Sequence, residues 1–158
     1  MRQIQKLISF TFLVTLLLGL MVTTYGQNPP QHFEDSFTIE GICSFPVLVE
    51  LSGKAKTIEL TGGKSISNAP GEVARFTNLD DPTKQEVIGI TGAFHQSVLA
   101  NGDMEFVVTG RNLLIGFDPD ALFVVTVGNF SFVFDENFNL VQPVTGTGQV
   151  IDVCGLLE

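Results

Sequence analysis

The sequence predicts an all-β protein: an antiparallel meander of about eight strands closing into a small β-barrel, with a β-sandwich as the alternative. Three observations carry this. From Ser36 onward Val, Ile, Phe and Thr alternate with polar residues, and no window of ten residues has a helical period. Gly92, Gly110, Gly128 and Gly146 recur at an even 18-residue spacing, with turn signals midway at Ala100-Asn101-Gly102, Asp118-Pro119-Asp120 and the polar run from Asp135 to Asn139. Hairpins at those turns set the four glycines in a row across four long strands. A strand of about 15 residues laid flat would reach about 50 Å, so these strands must coil or bend. Glycine inside a strand marks such a bend, a bulge or a close approach.

The elements follow in order. Residues 1–26 read as a secretory signal peptide: Arg2 and Lys6 precede an apolar run from Leu7 to Val22, and Thr24 and Gly26 supply small residues ahead of a cleavage site before Gln27. The apolar run of 16 residues is shorter than the roughly 20 that a membrane-spanning helix wants. Residues 27–35, with Pro29-Pro30, read as a flexible lead-in. Residues 36–158 form one domain with expected strands at 36–42, 46–52, 54–61, 72–79, 84–99, 103–117, 121–134 and 139–154. The earlier turns fall at Ser52-Gly53, Thr61-Gly62-Gly63 and Leu79-Asp80-Asp81-Pro82.

Without its signal the chain keeps six Lys/Arg against 17 Asp/Glu, a net charge near −11. That balance excludes nucleic acid and anionic membrane as partners, because both demand a basic face. No tryptophan is present and the only tyrosine, Tyr25, leaves with the signal, so the usual carbohydrate-stacking rings are missing. Cys43 and Cys154 are the only cysteines. Export places them in an oxidising compartment, which predicts one disulfide between the two ends of the domain.

Directly paired residues share a face. The glycine register therefore gathers Phe94, Val108, Leu114, Val124, Phe130 and Phe132 on one face as an interior, with Gln96, Asn112, Thr126, Gln142 and Asp152 as its polar members. It sets Asn112 opposite Thr126 and Gln142 opposite Phe132. The other face divides at the glycine row. His95, Ser97, Glu105 and Ser131 make one side polar, while Leu113, Ile115, Phe123, Val125, Ile151 and Val153 make the other apolar. That apolar side needs a cover, either the N-terminal strands (Phe37, Ile39, Val47, Val49) or a second copy docked through Leu113, Ile115, Phe123 and Val125.

Motifs with catalytic or metal-binding chemistry are weak. Asp135-Glu136-Asn137-Phe138-Asn139 starts like a calcium loop, but Leu140 stands where its glycine belongs and Gly146 where its bidentate Glu belongs, so it reads as a hairpin turn. Asp118-Pro119-Asp120 carries a pair of carboxylates, but Pro at its second position is ordinary turn chemistry, so it too reads as a turn. His95 lies on the polar face with no nucleophile beside it. Glu86 and Asp152 are the two inward-facing carboxylates, near strand ends, and would serve a barrel enzyme. No metal site and no cofactor are expected. The remaining candidate is the phenylalanine-rich interior, read as a pocket for a small apolar ligand, with Phe94, Phe106, Phe130 and Phe132 as walls and Gln96 and Gln142 as polar contacts.

Four segments carry a resemblance: Ile42-Cys43-Ser44-Phe45-Pro46-Val47, Gly110-Arg111-Asn112-Leu113-Leu114, Gly128-Asn129-Phe130-Ser131-Phe132-Val133-Phe134-Asp135, and the stretch from Thr145 to Cys154. Together they resemble an uncharacterised family of secreted bacterial proteins, common in actinobacteria, with one cysteine pair in a β-rich domain. The resemblance spans most of the chain after the signal and implies secretion and a disulfide, with no activity attached. The barrel of dirigent and allene-oxide-cyclase-like proteins is a looser architectural analogy, without matching catalytic motifs. The expectation is a secreted, non-enzymatic β-barrel binding a small apolar ligand or a protein partner. The alternatives are a cyclase-like barrel enzyme and a structural extracellular oligomer.

Overall fold

The computed structural model describes residues 29–116 and 122–158. The expected signal segment, the Asp118-Pro119-Asp120 turn and Phe117 lie outside them. The described chain is all-β and antiparallel: β1 (Gln31–Ile39), β2 (Val47–Leu60), β3 (Lys64–Asn68), β4 (Val73–Asn78), β5 (Gln85–Gly89), β6 (Ala93–Val98), β7 (Met104–Ile115), β8 (Phe123–Phe134) and β9 (Leu140–Asp152), then a helical turn α1 (Val153–Leu156). Nine strands pair along the path β5-β4-β2-β3-β6-β7-β8-β9, with β1 on β2.

The path is open. β9 pairs only with β8 and β5 only with β4, so the sheet does not close into the expected barrel. What folds it over is β2. The residues Val47–Ser52 pair with β4 and, on the other side, with β1, whereas Lys56–Leu60 pair with β3. One strand thus joins two differently directed parts of the sheet, and the Ser52-Gly53 signal expected to be a turn is the crossing point inside it. Gly53 stands there because a Cβ would come within 2.6 Å of the Glu72 Cα.

The expected strand 84–99 is likewise two strands on different parts of the sheet. β5 pairs with β4, β6 pairs with β3 and β7, and the chain passes between them at Ile90-Thr91-Gly92. The expected lead-in is also partly ordered, since residues from Gln31 onward belong to β1.

The long hairpins keep their expected registers where turn chemistry sets them. Ala93 faces Thr109, Gly110 faces Gly128 and Asn112 faces Thr126. The β8–β9 register slips twice between Ser131 and Phe134, so Gly128 faces Gly148 in place of Gly146, and Gln142 faces Val133 in place of Phe132. Pro143 lies in the slipped stretch and has no N–H to give the ladder. Gly146 now faces Phe130, and a Cβ there would stand 2.9 Å from the Phe130 ring.

Two hydrophobic clusters lie on opposite faces of the β7–β8 ribbon. One is drawn from β6 to β9, with Val108, Leu114, Phe130 and Phe132 buried. The other joins Ile39, Val47, Val49 and Phe76 to Phe123, Val125, Val153 and Leu157. The apolar outer face read from the sequence is therefore covered by the N-terminal strands of the same chain. Of the four residues expected to carry a homo-oligomer contact, Phe123 (2% exposed) and Val125 (0%) are inside the fold, and Leu113 and Ile115 are half-buried against the same core. Phe76 meets Phe123 edge-on at 5.6 Å across it.

The C-terminus is anchored at this core. Asp152 caps α1 by accepting the Cys154 N–H at 3.0 Å, Asn78 Nδ2 donates to the Leu157 carbonyl at 3.1 Å, and Leu157 is fully buried. Cys43 and Cys154 form the expected disulfide, with Cα atoms 5.4 Å apart, linking the β1–β2 connection to α1.

Candidate binding cavity

The largest consequence of the split at Gly92 is a cavity. β6 pairs with β7 only as far as Thr109, so β7 runs on from Gly110 to Ile115 with one edge uncovered by β6. Thr126 Oγ1 donates to the Asn112 carbonyl at 3.3 Å, which turns that carbonyl towards β8. By the alternation of an antiparallel ladder, Leu113 then presents its N–H and C=O on the opposite, uncovered edge. Asn112 Nδ2 folds back onto the Thr109 carbonyl at 3.0 Å, and its Oδ1 lies over Gly92.

Beside this edge lies a cavity of about 450 Å³. Phe33 and Phe37 of β1, Leu51 and Ala55 of β2, and Phe94 of β6 form its apolar walls together with Ile90 and residues 113–115. Ser67, Asn68, Glu72 and Asn112 are the polar groups that reach it. Glu72 is brought there by a turn: its N–H donates to the Ala69 carbonyl at 3.2 Å, with Pro70 and a left-handed Gly71 (φ 72°) between them. That is the geometry of a type II turn, which Pro-Gly favours.

Glu72 is half-buried, and burial raises its carboxyl above the ordinary carboxylate range. No hydrogen bond or ion pair reaches its side chain from the described residues. A carboxyl raised in the fold binds protons more readily than in the unfolded chain. Its stabilising share is therefore full below the unfolded value and lost as pH rises through the folded one. The expected result is that Glu72→Gln unfolds at higher denaturant than the parent at pH 7.5, with the gap closing on acidification towards pH 4. Equal midpoints at both pH values would mean that burial does not penalise this carboxylate.

Of the six expected ligand-binding residues only Phe94 lines this cavity. Phe106 stacks on Phe132 at 5.3 Å, and Phe134 meets both edge-on at 5.9 and 5.8 Å. With Phe132 only 1% exposed and Phe130 6%, these rings fill their space with one another. Gln96 lies on β6 opposite Phe106 and donates to Met104 Sδ at 3.9 Å, a contact within β6–β7. Gln142 is exposed on β9, carried off the aromatic face by the register slip. Glu86 and Asp152 are both exposed, the first on edge strand β5 and the second capping α1, so neither carboxylate meets a cleft.

The acidic hairpin from Asp135 to Asn139 is closed by its own carboxylate. Asp135 Oδ1 accepts from the Asn137 and Asn139 N–H groups at 2.8 and 2.9 Å, and Oδ2 from Asn139 Nδ2 at 2.9 Å. These bonds, that of the Asn139 side chain first, hold the Asp135 carboxyl below its ordinary value. Among the described residues no group of three or more His, Cys, Asp or Glu is arranged to hold a metal ion.

The residues that sequence reading missed are Glu72 and the walls from β1. Ala69-Pro70-Gly71 is a strong turn signal ahead of an apolar strand, and it would have placed Glu72 at a strand start. No family model, no curated protein and no solved structure matches this chain.

Proposed function

We propose that this is a secreted, disulfide-closed, non-enzymatic binding protein that takes a small apolar molecule into the cavity between β1–β2 and the uncovered edge of β7. The observation that carries the reading is the cavity itself: about 450 Å³ with largely apolar walls, in the range of about 300–1,000 Å³ typical of small-molecule sites. Secretion is supported by the signal-like N-terminal segment and by the disulfide, since such bonds persist in oxidising compartments. No helix among the described residues is long and apolar enough to cross a membrane.

The test uses Nile red, an uncharged apolar dye whose emission rises on leaving water. Saturable binding with a micromolar Kd is expected. Ala55 lines the cavity and is exposed, so Ala55→Trp obstructs the mouth without entering a packed core. It is expected to weaken the dye at least tenfold with an unchanged unfolding midpoint. Absence of saturable binding, or equal binding by Ala55→Trp, would overturn the reading.

A further inference from the structure

The cavity walls hold one ionisable side chain and no basic one: among the residues that line them, Glu72 alone carries charge. Glu72 shares the cavity lining with Phe33, Leu51 and Ile90, and its half-buried carboxylate bears a desolvation cost that a cationic partner would offset. None of the residues lining the cavity is basic. Asn112 spends its Nδ2 on the Thr109 carbonyl, and Arg75 pairs with Glu50 at 3.7 Å.

Resting on the binding reading above, we propose that the cavity selects a hydrophobic cation, an amine on an apolar body, seated with its ammonium group against the Glu72 carboxylate and its apolar part between Phe33, Phe37 and Phe94. The walls provide what the body needs, and the carboxylate provides what the head needs. Recognition by an ionised acceptor adds a charge-assisted hydrogen bond, stronger than a neutral one. It also relieves the cost of holding that carboxylate out of water, which is what raises the Glu72 carboxyl. The excess of acidic over basic residues across the chain draws cations towards the surface and repels anions. A fatty acid of the same size would place its carboxylate beside Glu72 and be rejected.

Three probes with apolar chains matched to within one carbon separate these possibilities: octylamine, octanol and octanoate, each used to displace Nile red at pH 7.5. The expected order is octylamine about tenfold tighter than octanol, and octanoate weaker than octanol. Glu72→Gln is expected to bring octylamine to the level of octanol while octanol itself shifts less than twofold, and Glu72→Asp to retain part of the amine preference. Equal displacement by octylamine and octanol in the parent protein would overturn the proposal and leave the apolar-cavity reading standing. An amine preference that survives Glu72→Gln and disappears in 0.5 M salt would also overturn it, since it would belong to the acidic surface at large. If none of the three probes displaces a dye that binds saturably, the cavity reading fails with it.

Discussion

Replacing Cys43 and Cys154 together by alanine is expected to lower the free energy of unfolding by about 4 kcal/mol. The bond closes a separation of 111 residues. In the loop-entropy description, cross-linking the unfolded chain over that distance removes about 4–5 kcal/mol of its conformational freedom. For a domain of this size that corresponds to a fall in Tm of roughly 10–20 °C. The native state itself should change little. Val153 and Leu157 remain buried, Asn78 still holds the Leu157 carbonyl, and Asp152 still caps α1. The double variant should therefore keep the far-ultraviolet spectrum of the parent at low temperature while unfolding earlier in urea, and reduction of the parent should reproduce its midpoint. An unchanged midpoint would mean that the ends of the chain stay together in the unfolded state without the bond.

That outcome bears on how the fold is specified. The disulfide was readable because the sequence holds only two cysteines, which leave a single pairing. The β6–β7 and β7–β8 registers were readable because Asn101-Gly102 and the 18-residue glycine spacing fix hairpins locally, and local chemistry decides pairing between sequence neighbours. The division of the outer face at the glycine row also holds, with Phe123, Val125 and Val153 buried beneath Val47 and Val49.

What was not legible depends on contacts between parts of the chain that are distant in sequence. Gly53 looks like a turn and is a crossing, because what it needs is room for Glu72 at the turn ahead of β4. Ile90-Thr91-Gly92 has the alternation of a strand and is where the chain leaves one part of the sheet for another. The phenylalanines of β7 and β8 suggest pocket walls because they converge on one face. The same convergence lets Phe106, Phe132 and Phe134 pack against each other and leave the space beside Gly92 open. A cavity forms where a strand runs out of partner, and no local pattern announces that.

The glycine row itself supplies the second large effect. Gly128 sits between Gly110 and Gly148 at φ 144°, and a Cβ built on it would press on the Thr147 carbonyl and stand 2.9 Å from the Gly148 Cα. Both neighbours are main chain inside a paired strand, so neither can swing aside as a flexible side chain would. Gly128→Ala is expected to cost about 3 kcal/mol, from overpacking of about 1–3 kcal/mol together with backbone strain of about 1–2 kcal/mol. Gly128→Val should abolish soluble folded protein. The control is Gly62, which has φ 78° but nothing within 4 Å of its would-be Cβ. Gly62→Ala reports strain alone and should cost about 1 kcal/mol. Urea midpoints of the two alanine variants then separate conformational strain from close approach. If Gly128→Ala costs no more than Gly62→Ala, the strands have room to separate at the row, and the glycines serve only to bend them. If the difference of about 2 kcal/mol appears, the row is a line of closest approach, which explains why β7, β8 and β9 each place a glycine there.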